Sequence, residues 1–599
     1  MKKITAIFIT VLFIAVGCFG CKKPVKEVGY EKNHLLDVAD TKWNATDEHG
    51  IEKVSETPTF QLEKNVSEGG TGLKPFCFFS DGMVLQRNAV NRIFGEADYT
   101  GGVAVEIDGK VYYGSADNGR FDVYLPPVSK GEGLTLTIYG IGNKVTVKDV
   151  CYGEVILFSG QSNMNWRLCD TVLSTSPAPT PGKQYLPFYG VLDTPYVPNE
   201  TDDPETYKEY VYNKTLSETY VNKTEEMIVE DDGVRMMLVD SGHDAYSIGR
   251  NKTERSGYDM EKKWIKAVKR NSILYCSMFA YYFARNLREF TGVPVGIICA
   301  SVGATSTSAW APRDVYESNK KYFPDTGEDE SDFNSVSSCY NTLIAPMKNY
   351  KTGAFVWYQG EVECASLTYC DAFAALAEGY RQKFDDPAMK ILVVSLPRYG
   401  LGAEYPKGFS QADYGKADRE FAMENAYSAR GRANQRLLPS VIHDCAVSVS
   451  INTGDFDDIH PSDKTVISRQ AVCRYLTELY GFKEERLLFP TLNGICETSD
   501  GIVLRFENCG EGLLLKNNGR GFQISENGVD FVQIKGVFSD GGVALSAADA
   551  GLERITRVRY GWLEYPRISR TEADKYVSVF NSFGMPLDQF DVKVRDYSG

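Results

Sequence analysis

Apolar and polar positions alternate with a period of two between residues 76 and 150. The alternation is clear in VAVEIDGKVYYG (103–114), LTLTIYG (134–140) and NKVTVKDV (143–150). Such alternation is typical of strands that bury one face. Asp108-Gly109 is a strong hairpin-turn signal between the two halves of the first stretch. The pattern therefore predicts an N-terminal all-β domain over residues 75–150.

From residue 151 the pattern changes to short apolar runs bounded by Gly, Ser or Pro. The runs are GEVILFSG (153–160), PVGIICAS (294–301), GAFVWYQG (353–360) and KILVVSLP (390–397). They are typical of parallel strands buried on both faces, and helical segments ending at Gly292 and Gly481 lie between or after them.

This alternation predicts an α/β domain over residues 151–483, built as a three-layer parallel sheet. A segment at about 169–270, rich in Tyr, Thr, Asn and Pro, interrupts it and is expected to be an insertion. Alternation of period two returns afterwards and predicts a C-terminal β domain over residues 484–599.

The N-terminus has the pattern of an export signal. Met1-Lys2-Lys3 precedes an apolar run at 7–16, which is too short to span a bilayer comfortably. Ala15-Val16-Gly17-Cys18 resembles a bacterial lipoprotein cleavage box, with Cys21 as a second candidate. We expect a signal peptide over 1–18, a flexible tether over 19–74, and a cell-surface or periplasmic lipoprotein that contacts the membrane only through its lipid anchor.

Composition excludes some classes of protein. The formal net charge of −15 argues against nucleic-acid binding, which needs a basic surface. The 14 cysteines show no paired spacing and no Cys/His zinc pattern. We expect them to be buried core residues, and we expect no metal or other cofactor.

Ser162 follows the apolar strand in ILFSGQSNMNW (156–166), and a serine nucleophile needs a base. Among five histidines, His460 has the most suitable neighbours, because Asp457 and Asp458 precede it in TGDFDDIHPSDK (453–464). A carboxylate at this distance can orient an imidazole and stabilise its charged form. The alternative is a solvated acidic loop that caps the following helix.

Two further stretches place polar groups or open backbone after strands. WYQGE (357–361) ends in the amide of Gln359 and the carboxylate of Glu361, and SVGATSTSAW (301–310) contains Gly303. Ligands of α/β sheets bind beyond the carboxyl ends of the strands, so these groups are candidates for the same cleft as Ser162. Each stretch taken alone also fits an ordinary turn.

Taken in their order along the chain, the four stretches resemble the motifs of the sialate O-acetylesterase family of SGNH-type hydrolases. GEVILFSGQSNMNW is similar to the nucleophile block, GVPVGIICASVGATSTSAW to the glycine block, YNTLIAPM with GAFVWYQGE to the third block, and DFDDIHPSDK to the histidine block. The resemblance extends from about residue 76 to residue 592.

The resemblance implies that Ser162 is the nucleophile and His460 the general base. It also implies an oxyanion hole formed by the backbone N–H groups of Ser162 and Gly303, with Gln359 as a third donor.

The acidic partner stays open. Asp457 has the three-residue spacing general to SGNH enzymes, whereas Asp458 matches the family's Asp-Ile-His string. Glu361 could orient His460 or a neighbouring donor.

The implied activity is removal of O-acetyl groups from sugars, with 9-O-acetyl sialic acid as the expected substrate. Plant polysaccharides such as xylan or xyloglucan are an alternative. A surface glycan-binding protein without catalysis is another. Arg167 is a candidate for binding a sialate carboxylate.

The chain also departs from the family's motifs. It has Gly303-Ala304 where the family often has two glycines, Val362-Glu363 where it has Ser-Asn, and Ser308 where a Glu is frequent. Because these changes flank the catalytic groups, we expect them to affect substrate choice more than chemistry.

Overall fold

The computed structural model describes residues 35–36, 42–69, 72–168, 228–239, 253–258, 262–268, 273, 275–329, 332–399, 427–455, 459–461, 463–539, 541–562 and 577–596. The predicted signal peptide, which ends at Cys18, and the second candidate Cys21 lie outside these residues. Within the described ranges, no helix is long and apolar enough to cross a membrane.

The N-terminal region is a mainly antiparallel sheet, in line with the predicted alternation, and the short strands β1 (Ser67–Glu68) and β3 (Val84–Gln86) pair parallel with β9 (Asn143–Gly160). Its strands are β1 (Ser67–Glu68), β2 (Leu73–Pro75), β3 (Val84–Gln86), β4 (Asn91–Ala97), β5 (Gly101–Ile107), β6 (Lys110–Asp117), β7 (Arg120–Leu125), β8 (Gly131–Tyr139) and β9 (Asn143–Gly160). The main order is β9-β8-β5-β6-β7-β4-β2. Asp108 (φ 50°) and Gly109 (φ 72°) form the turn between β5 and β6, which confirms the predicted hairpin.

β9 is 18 residues long and belongs to both regions. Its first part pairs antiparallel with β8, and its last seven residues, from Glu154 to Gly160, pair parallel with a later strand. The domain boundary predicted at 150/151 therefore lies inside a continuous strand, because β9 passes from its pairing with β8 to its parallel pairing without a break, although Gly153 stands between the two halves.

The second region is a mixed α/β unit. Its strands are β10 (Asp231–Leu238), β11 (Ile265–Ala267), β12 (Val295–Ser301), β13 (Ala354–Tyr358), β14 (Lys390–Val393), β15 (Arg398–Tyr399), β16 (Cys445–Val447) and β17 (Gly454–Asp455). Its helices are α1 (Ser162–Asn165), α2 (Met278–Thr291), α3 (Thr307–Trp310), α4 (Arg313–Ser318), α5 (Tyr369–Lys383), α6 (Tyr427–Val441) and α7 (Thr465–Arg474). The sheet order is β11-β10-β12-β9-β13-β14-β16, parallel except for β11.

Helices cover both faces of these parallel strands. The neighbouring residues Trp357 and Tyr358 of β13 point to opposite faces, because side chains alternate along a strand. Trp357 packs on Phe373 of α5 with ring centroids 5.7 Å apart, whereas Tyr358 packs on Phe279 of α2 at 5.4 Å. Burial on both faces explains why the strands are continuously apolar.

Two segments are more ordered than the sequence suggested. Within the predicted tether, Trp43 is buried against Tyr480 with ring centroids 4.6 Å apart, so packed chain precedes residue 75. Within the predicted insertion, β10 and β11 extend the sheet. Arg235 of β10 is buried, and its guanidinium donates to the Gly82 carbonyl at 3.0 Å, which offsets the cost of a charge at a strand position.

The C-terminal region is again formed by β-sheets. Its strands are β18 (Thr491–Thr498), β19 (Gly501–Glu507), β20 (Leu513–Leu515), β21 (Phe522–Ser525), β22 (Val532–Ile534), β23 (Val537–Ser539), β24 (Gly542–Ser546), β25 (Arg557–Tyr560), β26 (Val579–Asn581) and β27 (Phe590–Lys593). A buried Gln589 joins this region to α6, because its side chain accepts from Arg432 at 2.7 Å and donates to the Ala429 carbonyl at 2.8 Å.

Gly160→Ala tests the end of β9. Gly160 has φ +139°, and a Cβ there would lie 2.1 Å from the Tyr358 carbonyl oxygen. Gly119 also has positive φ but faces open space. We expect each Ala to cost about 1–2 kcal/mol of unfolding free energy through its backbone conformation. At Gly160, overpacking adds about 1–3 kcal/mol. Equal losses for Gly160→Ala and Gly119→Ala in urea unfolding would contradict this account of the strand end.

Candidate active site

Sheet register brings the carboxyl ends of three neighbouring strands to one level. Gly160 at the end of β9 pairs with Ser301 of β12 on one side and with Tyr358 of β13 on the other. The residues that follow these ends include Ser162, Gly303 and Gln359. The groups singled out from sequence therefore emerge side by side at one edge of the sheet, where α/β proteins bind ligands.

Ser162 is the first residue of α1 and is half-buried. The Trp166 N–H donates to the Ser162 carbonyl at 2.8 Å, which closes this single turn. Gly303 lies against the serine, since a Cβ built at Gly303 would be 3.5 Å from the Ser162 Cβ. The backbone of Gly303 therefore borders the serine side chain, and no side chain of its own covers the approach.

His460 is held next to the serine turn by two contacts. Its ring stacks on Trp166, with centroids 4.7 Å apart and an interplanar angle of 11°. The preceding residue, Ile459, accepts a 3.0 Å hydrogen bond at its carbonyl from the Asn163 side chain. Two residues that follow Ser162, Asn163 and Trp166, thus contact the histidine loop. Asp457 and Asp458 lie outside the described residues.

A buried polar cluster supports this arrangement. Asn163 is fully buried, and its side-chain nitrogen also donates to a carboxylate oxygen of Glu361. Lys464, likewise buried, donates to the Asn163 side-chain oxygen, and its ammonium lies 5.6 Å from the Tyr358 ring centroid. Buried charges destabilise a fold unless they are paired and hydrogen-bonded. The Asn163 amide connects the two charged groups and links them to the histidine loop.

Burial is the largest influence on the pKa of the Glu361 carboxyl. It raises the pKa of this carboxyl, and the Asn163 hydrogen bond, Lys464 and His460 act in the opposite direction. The second carboxylate oxygen is buried and finds no hydrogen-bond partner among the described residues. Glu361 therefore contacts the Asn163 amide, and its role in orienting His460 or a neighbouring donor stays a prediction.

Gln359 is fully buried, and both hydrogens of its side-chain amide are used. The amide nitrogen donates to the Thr305 carbonyl at 3.2 Å and to a carboxylate oxygen of Glu363 at 2.9 Å. Burial raises the pKa of Glu363, against the hydrogen bonds from Thr307 and Gln359. A direct oxyanion bond from Gln359 stays a prediction, and it requires the amide to release one of these partners.

Asn163, Lys464 and Glu363 were not singled out as functional residues by sequence reasoning. Asn163 and Lys464 both lie within the quoted motifs. A lysine is almost never fully buried, so the residue type of Lys464 does not predict its buried position beside Asn163. Glu363 was noted only as a departure from the family. The described residues contain no group of three His, Cys, Asp or Glu side chains that could hold a metal.

Glu361→Gln tests the cost of the buried carboxyl. Because its folded pKa lies above the ordinary value of 4.5, the folded state binds this proton more tightly than the unfolded state. Its contribution is fully present at low pH and is lost as the pH rises from about 4.5 through the folded pKa. We expect the unfolding free energy of Glu361→Gln relative to wild type to increase between about pH 4 and pH 7. A decrease in urea titrations would mean that Lys464 stabilises the carboxylate more than burial destabilises it.

The chain is similar to known carbohydrate esterases. The model of the family "Carbohydrate esterase, sialic acid-specific acetylesterase" matches residues 260–430, a range that contains Gly303, Gln359 and Glu361 but neither Ser162 nor His460. Human sialate O-acetylesterase is 23% identical over 426 residues, which cover 67% of this chain and 69% of the human protein. The rat sialate O-acetylesterase is 22% identical over 457 residues, which cover 67% and 73%.

A solved structure shares the fold. The crystal structure of a carbohydrate acetylesterase from Xanthomonas citri superposes with a TM-score of 0.62 at 21% identity, over 87% of this chain and 99% of the other. The matched family model and the curated relatives confirm the resemblance to the sialate O-acetylesterase family drawn from the motifs, and they support a carbohydrate acetylesterase.

Proposed function

We propose that this chain is a serine esterase that removes O-acetyl groups from sugars, with 9-O-acetyl sialic acid as its main substrate. The observation that carries the proposal is that Gly303 lies against Ser162 while Asn163 and Trp166, which follow Ser162, contact the loop of His460, at the carboxyl ends of β12, β9 and β13. An SGNH-type three-layer core fits the parallel strands with helices on both faces.

In this proposal the Ser162 hydroxyl attacks the acetyl carbonyl and His460 takes the serine proton. The backbone N–H groups of Ser162 and Gly303 stabilise the oxyanion, and one such donor is typically worth roughly 3 kcal/mol. His460 then protonates the departing sugar oxygen, and water releases acetate from the acyl-enzyme. Asp457 or Asp458 would orient the imidazole.

The choice of sugar rests on the comparisons. The matched family and the curated mammalian relatives carry sialate specificity in their names. A sialate carboxylate needs a nearby cation, and Arg167 follows the Trp166 that stacks on His460. Val362-Glu363, which departs from the family's motif, directly follows Glu361. This departure is the reason to test acetylated xylan and xyloglucan as the second candidate substrates.

We further infer that the protein is exported and lipid-anchored at Cys18, in line with the basic start and apolar run of the N-terminus. Expression in a bacterium with radiolabelled palmitate should label the wild-type chain but not Cys18→Ala. Equal labelling of both chains would exclude Cys18 as the anchor.

Ser162→Ala tests the reaction. The variant should lower acetate release by about 10³-fold or more, because the nucleophile is removed while the fold is kept. The panel holds 9-O-acetyl sialic acid, acetylated xylan and acetylated xyloglucan oligosaccharides. Ser159→Ala, near the end of the preceding strand β9, is a matched control, since its buried hydroxyl finds no hydrogen-bond partner among the described residues. It should retain activity.

Full activity of Ser162→Ala would exclude this nucleophile. If a fluorophosphonate probe fails to label Ser162 and no substrate is cleaved, the non-catalytic glycan-binding alternative gains support.

A further inference from the structure

The loop that carries Gly303 contains a backbone conformation that its sequence does not favour. Ala304 follows Gly303 with φ +59°, in the left-handed region that residues with a Cβ rarely adopt. Such conformations persist where the surrounding structure imposes them. The position of the Gly303 N–H therefore depends on what holds the following residues.

One carboxylate oxygen of Glu363 binds both the glycine loop, at Thr307, and the side chain of Gln359, which follows β13. An oxygen of Glu363 accepts from the Thr307 N–H at 2.6 Å and from the Gln359 amide at 2.9 Å. The same amide donates to the Thr305 carbonyl at 3.2 Å. Glu363 is only 8% exposed, and Gln359 is fully buried, so water does not compete for these bonds.

The orientation of the Gln359 amide follows from its two partners. A backbone carbonyl can only accept a hydrogen bond, so the edge of the amide that faces Thr305 must be the NH₂ group. The second hydrogen of this NH₂ group is donated to the carboxylate oxygen of Glu363. Removal of Glu363 would leave one amide hydrogen of Gln359 and the Thr307 N–H without their partner.

Other bonds hold the loop to its own neighbours. The Thr305 hydroxyl donates to the Val302 carbonyl at 2.7 Å, and the Ser306 N–H donates to the Asn334 side chain at 2.8 Å. Glu363 and Gln359 differ from these because they follow β13 and so link the glycine loop to the adjacent strand end. Because the end of β13 pairs with the end of β9, these two residues fix the position of the glycine loop relative to the start of the Ser162 turn.

We propose that Glu363 is a positioning residue, which acts through Gln359 and Thr307 to hold the Gly303 N–H in place beside Ser162. The proposal rests on the function proposed above, because it gives Gly303 the role of an oxyanion donor. A misplacement of about 1 Å at a catalytic group can lower the rate by as much as 10²-fold. A neutral amide oxygen at position 363 can accept the same two hydrogen bonds.

The test compares Glu363→Ala with Glu363→Gln in the full chain, using p-nitrophenyl acetate and the best natural substrate. We expect Glu363→Ala to lower kcat by about tenfold or more with little change in KM, since the oxyanion forms only after binding. Glu363→Gln should restore most of kcat. If Glu363→Ala does not fold, Glu363→Leu, which fills more of the volume, replaces it.

Glu154→Ala is the matched control for the loss of a buried carboxyl. Glu154 is 2% exposed and lies in β9 at the opposite end of the parallel strands, in register with Val295. Burial raises the pKa of Glu154 as it does that of Glu363. A loss of stability alone should therefore affect both Ala variants, whereas a loss of kcat in folded protein should be confined to Glu363→Ala.

The outcomes separate this proposal from its alternatives. If Gln359 donates directly to the oxyanion, Glu363→Ala frees its amide, and kcat stays the same or rises, which overturns the proposal. An equal loss in Glu363→Gln would mean that the charge is required, which overturns it as well.

Fluorophosphonate labelling rates at Ser162 provide the same comparison without a sugar substrate. Wild-type protein that labels but cleaves no acetylated sugar refutes the proposed function, while the labelling rates of the variants still decide the role of Glu363. Wild-type protein that neither labels nor hydrolyses any ester overturns both proposals.

Discussion

The parallel register of β9 with its two neighbours is the constraint on which the site depends. A one-residue slip would turn every side chain of β9 to the opposite face, so burial on both faces fixes the register strongly. With that register, Gly160 lies between Ser301 and Tyr358, and the three following turns must start at the same level. Strand pairing alone therefore brings the serine, the glycine loop and the Gln-Gly-Glu turn together, whatever the side chains of the site contribute.

Buried polar groups fix the histidine loop relative to the strand ends. Asn163 interacts with Glu361, Lys464 and the Ile459 carbonyl, and each of these belongs to a different part of the chain. A charge-assisted hydrogen bond contributes about 1.5–3 kcal/mol, and a broken buried one costs more than that, because an uncompensated charge remains. The cluster therefore makes alternative placements of the histidine loop costly, whether or not it adds to the net stability of the fold.

Much of the fold could be predicted from the sequence because its signals are local. The helix expected to end at Gly292 is α2, with Gly292 in the left-handed conformation as its C-terminal cap. The apolar runs at 294–301 and 353–360 became β12 and β13. The continuous strand β9 and the recruitment of β10 to the sheet were not foreseen, because both depend on pairing between distant segments. The burial of Trp43 is likewise a tertiary effect, set by the position of Tyr480.

The motifs predicted which residues belong to the candidate site, but they did not predict the hydrogen bonds among its side chains. The sequence placed Ser162 and Gly303 after strands, but it could not show that both hydrogens of Gln359 would be used elsewhere. Ala304 and Glu363 were noted as two separate departures, and the structure shows that Glu363 and its partner Gln359 hold Thr307 and Thr305, which follow Ala304 in the loop. A left-handed Ala costs about 1–2 kcal/mol, comparable to a hydrogen bond with a charged acceptor. A loop that keeps a Cβ where glycine is common therefore needs added support, and the carboxylate that holds Gln359 and Thr307 lies where it can provide that support.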